Sequence, residues 1–220
     1  MKHFLKKYGH AWTLLYILIY MPWFMYLEKN VVTYTSMHTA LDDKIPFCEY
    51  FIVPYLLWFI FIPAVFIFLF FTSKEEYYRL SAFLFIGMTI CLTICTIWPN
   101  GQELRQNFQV DKNVFTQIVA LIYQTDTNTN VFPSIHVFNS VGACIAVCKS
   151  ERLYNKKMIK AATIILTVLI CLSTVFLKQH SVLDVIGGLV LASIMYTFVY
   201  VLDYRAIRRM IEEKKLAKNY

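Results

Sequence analysis

The chain reads as an all-α integral membrane protein, a single membrane domain over residues 1–220. It is expected to be a bundle of six transmembrane helices with both termini cytoplasmic. Three observations carry this reading. Hydrophobic residues make up 58% and charged residues only 16% of the sequence, with mean hydropathy +0.53, whereas a soluble domain carries about 25% charged residues. Six apolar stretches approach the ~20 residues that a bilayer requires. Lysine and arginine alternate in abundance from one connecting segment to the next, which orients helices. Aromatic residues, at 17%, suit lipid-facing walls and interfacial belts.

The stretches are taken in order. Ala11–Leu27 follows Lys2, Lys6 and Lys7 and so imitates a signal peptide. The continuation Met25-Tyr26-Leu27-Glu28-Lys29 offers no small-residue cleavage site, so it reads as a retained helix. Phe51–Phe71 begins between Pro46 and Pro54, and proline is tolerated in a first helical turn. Leu80–Trp98 follows. Ser134–Cys148 is the shortest, although the uncharged run starts at Thr127. Ala161–Leu177 and Val182–Leu202 complete the set; in the last, Gly187-Gly188 allows another backbone to approach closely.

Lysine plus arginine number three, two, five and six in the N-terminus, second loop, fourth loop and tail. The first, third and fifth loops hold two, two and one. The positive-inside bias therefore places both termini in the cytoplasm and the odd loops outside. It also accounts for the net charge of +7, which lies beside anionic lipid head groups. A nucleic-acid partner has no basic, aromatic surface left to bind.

The third loop, Pro99 to Pro133, is the longest. Val114–Tyr123 within it carries apolar residues at helical spacing, and Thr125–Asn130 breaks the pattern. The six cysteines form no zinc-type pair. Cys91 with Cys95, and Cys144 with Cys148, share helical faces and read as small apolar packing residues.

Two segments carry chemistry. In Val131-Phe132-Pro133-Ser134-Ile135-His136, Ser134 is a helix-capping residue and His136 lies in the first turn. A helix N-terminus is suited to phosphate. In Ser173 to Asp184, His180 and Asp184 are four residues apart and share a helical face. A carboxylate there fixes one imidazole nitrogen and leaves the other as nucleophile or base. The charge pattern, which uses no motif, puts both histidines at one membrane face. Structural readings, a capped helix and a His–Asp pair closing a helix end, stand beside the functional one.

Pro133-Ser134-x-His136 resembles the second signature of the type 2 phosphatidic acid phosphatase superfamily, and Ser173-x6-His180-x3-Asp184 its third. The wording around them is most similar to the sphingomyelin and inositol phosphoceramide synthase branch. The resemblance covers roughly residues 99–190. It implies a metal-independent phosphatase with no cofactor, acting on a lipid phosphate or lipid diphosphate at the outer face of the cell membrane. His180 is then the nucleophile, Asp184 its orienting carboxylate, and His136 the general acid and base. Ser134, Lys178 and Arg105 are the expected substrate ligands. Lys178 and Arg105 are assigned because two family cations are missing: Thr174 follows Ser173 where arginine is usual, and Trp98 stands where lysine would precede Arg105. The alternative is a transferase that passes a phosphorylated head group to a lipid alcohol. A third reading is a membrane scaffold with a decayed site.

The topology is open to direct test. A cysteine placed at position 112 should react with a membrane-impermeant thiol reagent in intact cells, and one at position 156 should not. The reverse pattern would overturn the orientation.

Overall fold

The computed structural model describes residues 8–30 and 33–202. Lys2, Lys6, Lys7 and the charged tail, which contribute to the expected orientation, lie outside the described residues. A 3-10 turn at Gly9–Tyr16 leads into α1 (Ile17–Asn30). The two-residue strand β1 (Thr35–Ser36) precedes α2 (Ile52–Thr72) and α3 (Lys74–Ile97). Then come β2 (Asn100–Gly101), α4 (Val114–Thr125), α5 (Ile135–Lys149), α6 (Lys157–Phe176) and α7 (Val182–Tyr196), which continues as a π turn over Thr197–Val201. β1 and β2 pair in parallel, Thr35 with Asn100 and Ser36 with Gly101.

Local chemistry explains several boundaries. Ser73 caps α3 by accepting the Glu76 amide at 3.3 Å, and Glu75 and Glu76 complement the helix dipole. A capping box of Asn113 and Thr116 opens α4. This is the amphipathic segment expected in the third loop, extended by two residues.

Among the described residues, four helical stretches are long and apolar enough to cross a membrane: Glu49–Thr72, Lys74–Ile97, Lys157–Phe176 and Val182–Val201. The expected first span instead divides between the 3-10 turn and α1. The expected fourth span forms the 15-residue α5. At 1.5 Å per residue α5 is roughly 22 Å long, short of the ~30 Å hydrocarbon layer. Its position makes that length tolerable. It packs against α2, α3, α6 and α7, so its ends meet protein, and non-helical backbone at membrane depth is permitted where protein buries it.

The core is the interface of α3 with α5. Phe83 and Phe138 stack with centroids 5.1 Å apart. Each ring fills the space of a missing Cβ: a Cβ on Gly87 would meet the Phe138 ring at 2.0 Å, and one on Gly142 the Phe83 ring at 2.6 Å. Close helix approach through small residues is how apolar helices associate when lipid offers no hydrophobic contrast. Hydrogen bonds fasten the N-terminal segment to α3: Thr13 Oγ1 to Tyr77 OH at 2.7 Å, and Trp23 Nε1 to Thr96 Oγ1 at 3.0 Å. Large apolar side chains such as Ile60, Phe71, Ile97 and Ile165 are exposed on the outside of the bundle. Together with the long apolar helices, they fit an integral membrane protein. All six cysteines are free thiols.

Candidate active site

The N-termini of α5 and α7 meet at one end of the bundle. The Ser134 amide donates to the Asp184 carbonyl at 3.0 Å. A Cβ on Gly188 would come within 2.9 Å of the Ser134 carbonyl oxygen, so the approach requires glycine there. Ser134 caps α5 by accepting the Val137 amide at 3.4 Å, and His136 follows in the first turn. Ser181 caps α7, and the Ser181 amide donates to Asp184 Oδ2 at 2.8 Å in a capping box.

The same Oδ2 lies 3.3 Å from His180 Nδ1, and His180 Nε2 lies 3.3 Å from His136 Nδ1. The groups thus form a line, Asp184–His180–His136. Asp184 is fully buried, and a buried carboxylate is costly unless it is paired. Facing Asp184, His180 holds its proton on Nδ1, which leaves the Nε2 lone pair directed at His136. The His136 ring is held between Tyr55 and Trp58, with centroids 4.8 Å and 4.6 Å away.

Both histidines line a cavity of about 360 Å³. Tyr20, Tyr55 and Trp58 form an aromatic wall, and Glu28 and Asp126 supply carboxylates. Tyr55 OH donates to Asp126 Oδ2 at 3.0 Å, while Glu28 accepts from Thr127 and Asn130. A larger groove of about 970 Å³ runs between α3 and α7 beside Arg79 and Tyr200. It contains neither histidine, so the smaller cavity is the one with chemistry.

The other expected ligands lie elsewhere. Ser134, Arg105 and Lys178 do not line the cavity. Lys178, 2% exposed, donates from Nζ to the carbonyls of Asp42 and Ile45 at 2.7 Å and 2.5 Å. The expected phosphate-facing ammonium is thus directed at carbonyls of the first loop and does not line the cavity. Burial pushes its pKa below the ordinary lysine value, against the opposing pull of Asp42 and Asp43. Arg105 Nη1 donates to the Tyr123 carbonyl at 2.9 Å. Its Nη2 donates to the carbonyls of Asp126 and Thr127 and to Gln179 Oε1 at 2.7–2.9 Å. Its guanidinium also lies 4.5 Å from the centre of the Tyr123 ring. Burial lowers its pKa, and nearby Asp126 opposes this. Arg105 is therefore a strut of the third loop. Thr174, where the family arginine is absent, is buried and bonds its own helix at the Cys171 carbonyl.

Sequence reasoning missed Asp42, Gln102, Gln179, Tyr55 and Glu28. Gln102 Nε2 donates to the carbonyls of Lys178 and Gln179 at 2.9 Å and 3.4 Å. Asp42 accepts from Ser181 and Val182. These partners are 76 to 140 residues apart, so no local pattern reveals them.

A family model described as the PAP2 superfamily matches residues 95–208, just over half of the chain. Neither a curated protein nor a solved structure matches the chain.

The strut role of Arg105 is measurable. Arg105→Lys should lower unfolding stability by about 2 kcal/mol, because one ammonium cannot span four acceptors. Thermal unfolding of detergent-solubilised protein reads the change, and an unaltered midpoint would refute the role.

Proposed function

This chain belongs to the PAP2 superfamily, and from that premise we propose that it hydrolyses a lipid phosphate or diphosphate through a phosphohistidine on His180. One observation carries the reading: Asp184, His180 and His136 stand in line at 3.3 Å spacings beside a cavity walled by aromatic rings.

The chemistry follows from that line. His180 Nε2 attacks phosphorus, forming a P–N bond as the bond from phosphorus to the lipid oxygen breaks. His136 takes up a proton as the anionic substrate enters and gives it to the departing oxygen. A water molecule then loses a proton to His136 and attacks phosphorus. The P–N bond breaks, phosphate leaves, and His180 recovers its lone pair. Asp184 holds the tautomer and balances the positive charge that His180 gains on phosphorylation. Ile135 and His136 line the cavity, so their first-turn amides are the candidates to receive phosphoryl oxygens at the α5 N-terminus. Among the described residues, no group of three or more His, Cys, Asp or Glu side chains is arranged to hold a metal ion. In the proposed route the helix N-terminal amides bear the phosphate charge. Six passes, cytoplasmic termini and an outward-facing site complete the proposal. The lysine and arginine bias supports them, as does the placement of both histidines at one end of the bundle.

A second reading, transfer of a phosphorylated head group to a lipid alcohol, is favoured by the charge inside the cavity. Its carboxylates are Glu28 and Asp126, while Lys178 is turned to the first loop and Arg105 lies behind the wall, bonded to Asp126, Thr127 and Gln179. A dianionic phosphomonoester meets like charge there. A phosphodiester whose head group ends in an ammonium gains from the carboxylates and from the aromatic wall. The nucleophile is unchanged; the acceptor is an alcohol instead of water.

Purified protein offered phosphomonoester, phosphodiester and polyprenyl diphosphate lipids separates the two readings when free phosphate and new lipid are measured together. Phosphate release identifies the hydrolase, and new phospholipid without phosphate identifies the transferase. On either route His180→Ala should abolish turnover with the fold retained, and Asp184→Asn should lower it by about two decades or more. Near-normal activity in His180→Ala would falsify the assignment. EDTA should leave the rate unchanged; a loss restored by Mg²⁺ or Zn²⁺ would reveal a metal requirement.

A further inference from the structure

We propose that Asp42 and Lys178 are positioning residues for His180, forming a clamp between the first outer loop and the 177–182 turn. The proposal rests on His180 being the nucleophile. Asp42 is 2% exposed and lies at the start of a 3-10 turn, Asp42–Lys44. Its carboxylate accepts four hydrogen bonds. Oδ2 takes the Thr39 amide at 2.7 Å, the Thr39 hydroxyl at 2.9 Å and the Ser181 hydroxyl at 2.7 Å. Oδ1 takes the Val182 amide at 2.8 Å. Asp42 is thus a second cap on α7, supplied by a distant loop and applied to the two residues that follow His180.

The other side of His180 is tied to the same residue. The Lys178 ammonium reaches the Asp42 carbonyl and, beside it, the Ile45 carbonyl. Lys178 adopts φ 53°, a left-handed conformation that a lysine rarely takes. Its two buried carbonyl contacts hold it there. Burial alone would raise the Asp42 pKa, but the bonds from Ser181, Val182 and Thr39 outweigh it and keep the carboxylate below its ordinary range. Hydrogen bonding thus favours the charged form of Asp42, the arm that caps α7. With residues 178, 181 and 182 held, the imidazole has little freedom to leave the line between Asp184 and His136. Displacement of a reacting group by about 1 Å costs as much as ~100-fold in rate.

The experiment reads position apart from stability and apart from the reaction. Asp42→Ala, Asp42→Asn and Lys178→Met are compared with wild type in thermal midpoint and in kcat and KM for whichever lipid the wild type turns over. The rate of carbethoxylation of His180 by diethyl pyrocarbonate is followed by mass spectrometry. His10 is the reference; it bonds the Phe70 carbonyl at the far end of α2. In Asp42→Ala, kcat should fall about ten- to hundredfold with KM within about twofold. His180 modification should quicken severalfold while His10 is unchanged. Asp42→Asn keeps an acceptor for the Val182 amide and should recover part of both. Lys178→Met should follow the alanine pattern and leave inhibition by orthovanadate unchanged; a weakened inhibition would make Lys178 a phosphate ligand and overturn its role in the clamp. Wild-type kcat and wild-type His180 reactivity in a folded Asp42 variant overturn the proposal. If Asp42→Ala does not fold, Asp42→Asn and Lys178→Met decide by the same two readouts. If wild type turns over none of the lipids, the proposed reaction fails, and His180 reactivity alone decides the clamp.

Discussion

A backbone hydrogen bond from the Ser134 amide to the Asp184 carbonyl joins the N-termini of α5 and α7, and the rest of the site depends on it. The bond sets His136, in the first turn of α5, opposite His180, in the turn just before the α7 cap. It forms because Gly188 leaves room for the Ser134 carbonyl, and because serine caps free both helices to end at the same level. Helix N-termini carry amides without intrahelical partners. Bringing two of them together under an outer cap concentrates hydrogen-bond donors and partial positive charge where an anion reacts.

The cap over this junction is built from polar groups that find partners in distant loops, although Arg105 Nε and Asp184 Oδ1 are buried without one. The carbonyl of Leu177 accepts from the Tyr123 hydroxyl, and those of Lys178 and Gln179 accept from Gln102. Arg105 gathers three carbonyls and the Gln179 side chain. Irregular backbone at the edge of an apolar bundle is stable only when such groups are satisfied within the protein. The arrangement has a mechanical result. The turn that carries His180 is held by the first and third loops together, so its imidazole rests on a braced support although it lies between helices.

The same arrangement decides the electrostatics of the cavity. Lys178 and Arg105 are bonded to carbonyl groups, and the carboxylates beside the cavity are Glu28 and Asp126. Glu28 is fixed by Thr127 and Asn130, and Asp126 by Tyr55 and Gln179. These acids are part of the wall, so the negative groups beside the two histidines are fixed by the scaffold. The family range, residues 95–208, includes both histidines but not Glu28, Asp42 or Tyr55. The reacting line and its surroundings therefore come from different parts of the chain.

What the sequence determined by itself is local. Four-residue spacing brought Asp184 within reach of His180, although His180 precedes the helix; Ser134 announced the cap of α5, and periodicity located the third-loop helix. Each of these depends on residues within one or two turns, where backbone geometry makes distance a function of separation along the chain. The lengths of the first and fourth apolar stretches were less legible, because apolar composition does not show that α5 is enclosed by four other helices. The destinations of Lys178 and Arg105 were not legible at all. A long cationic side chain beside a nucleophile has the same local pattern whether it meets phosphate or a carbonyl of another loop. Asp42, Gln102 and Glu28 carried no signal, since their partners stand 76 to 140 residues away. Only the tertiary structure chose among these contacts, because the charge in the cavity depends on which buried carbonyls and amides the folded loops leave in need of a partner.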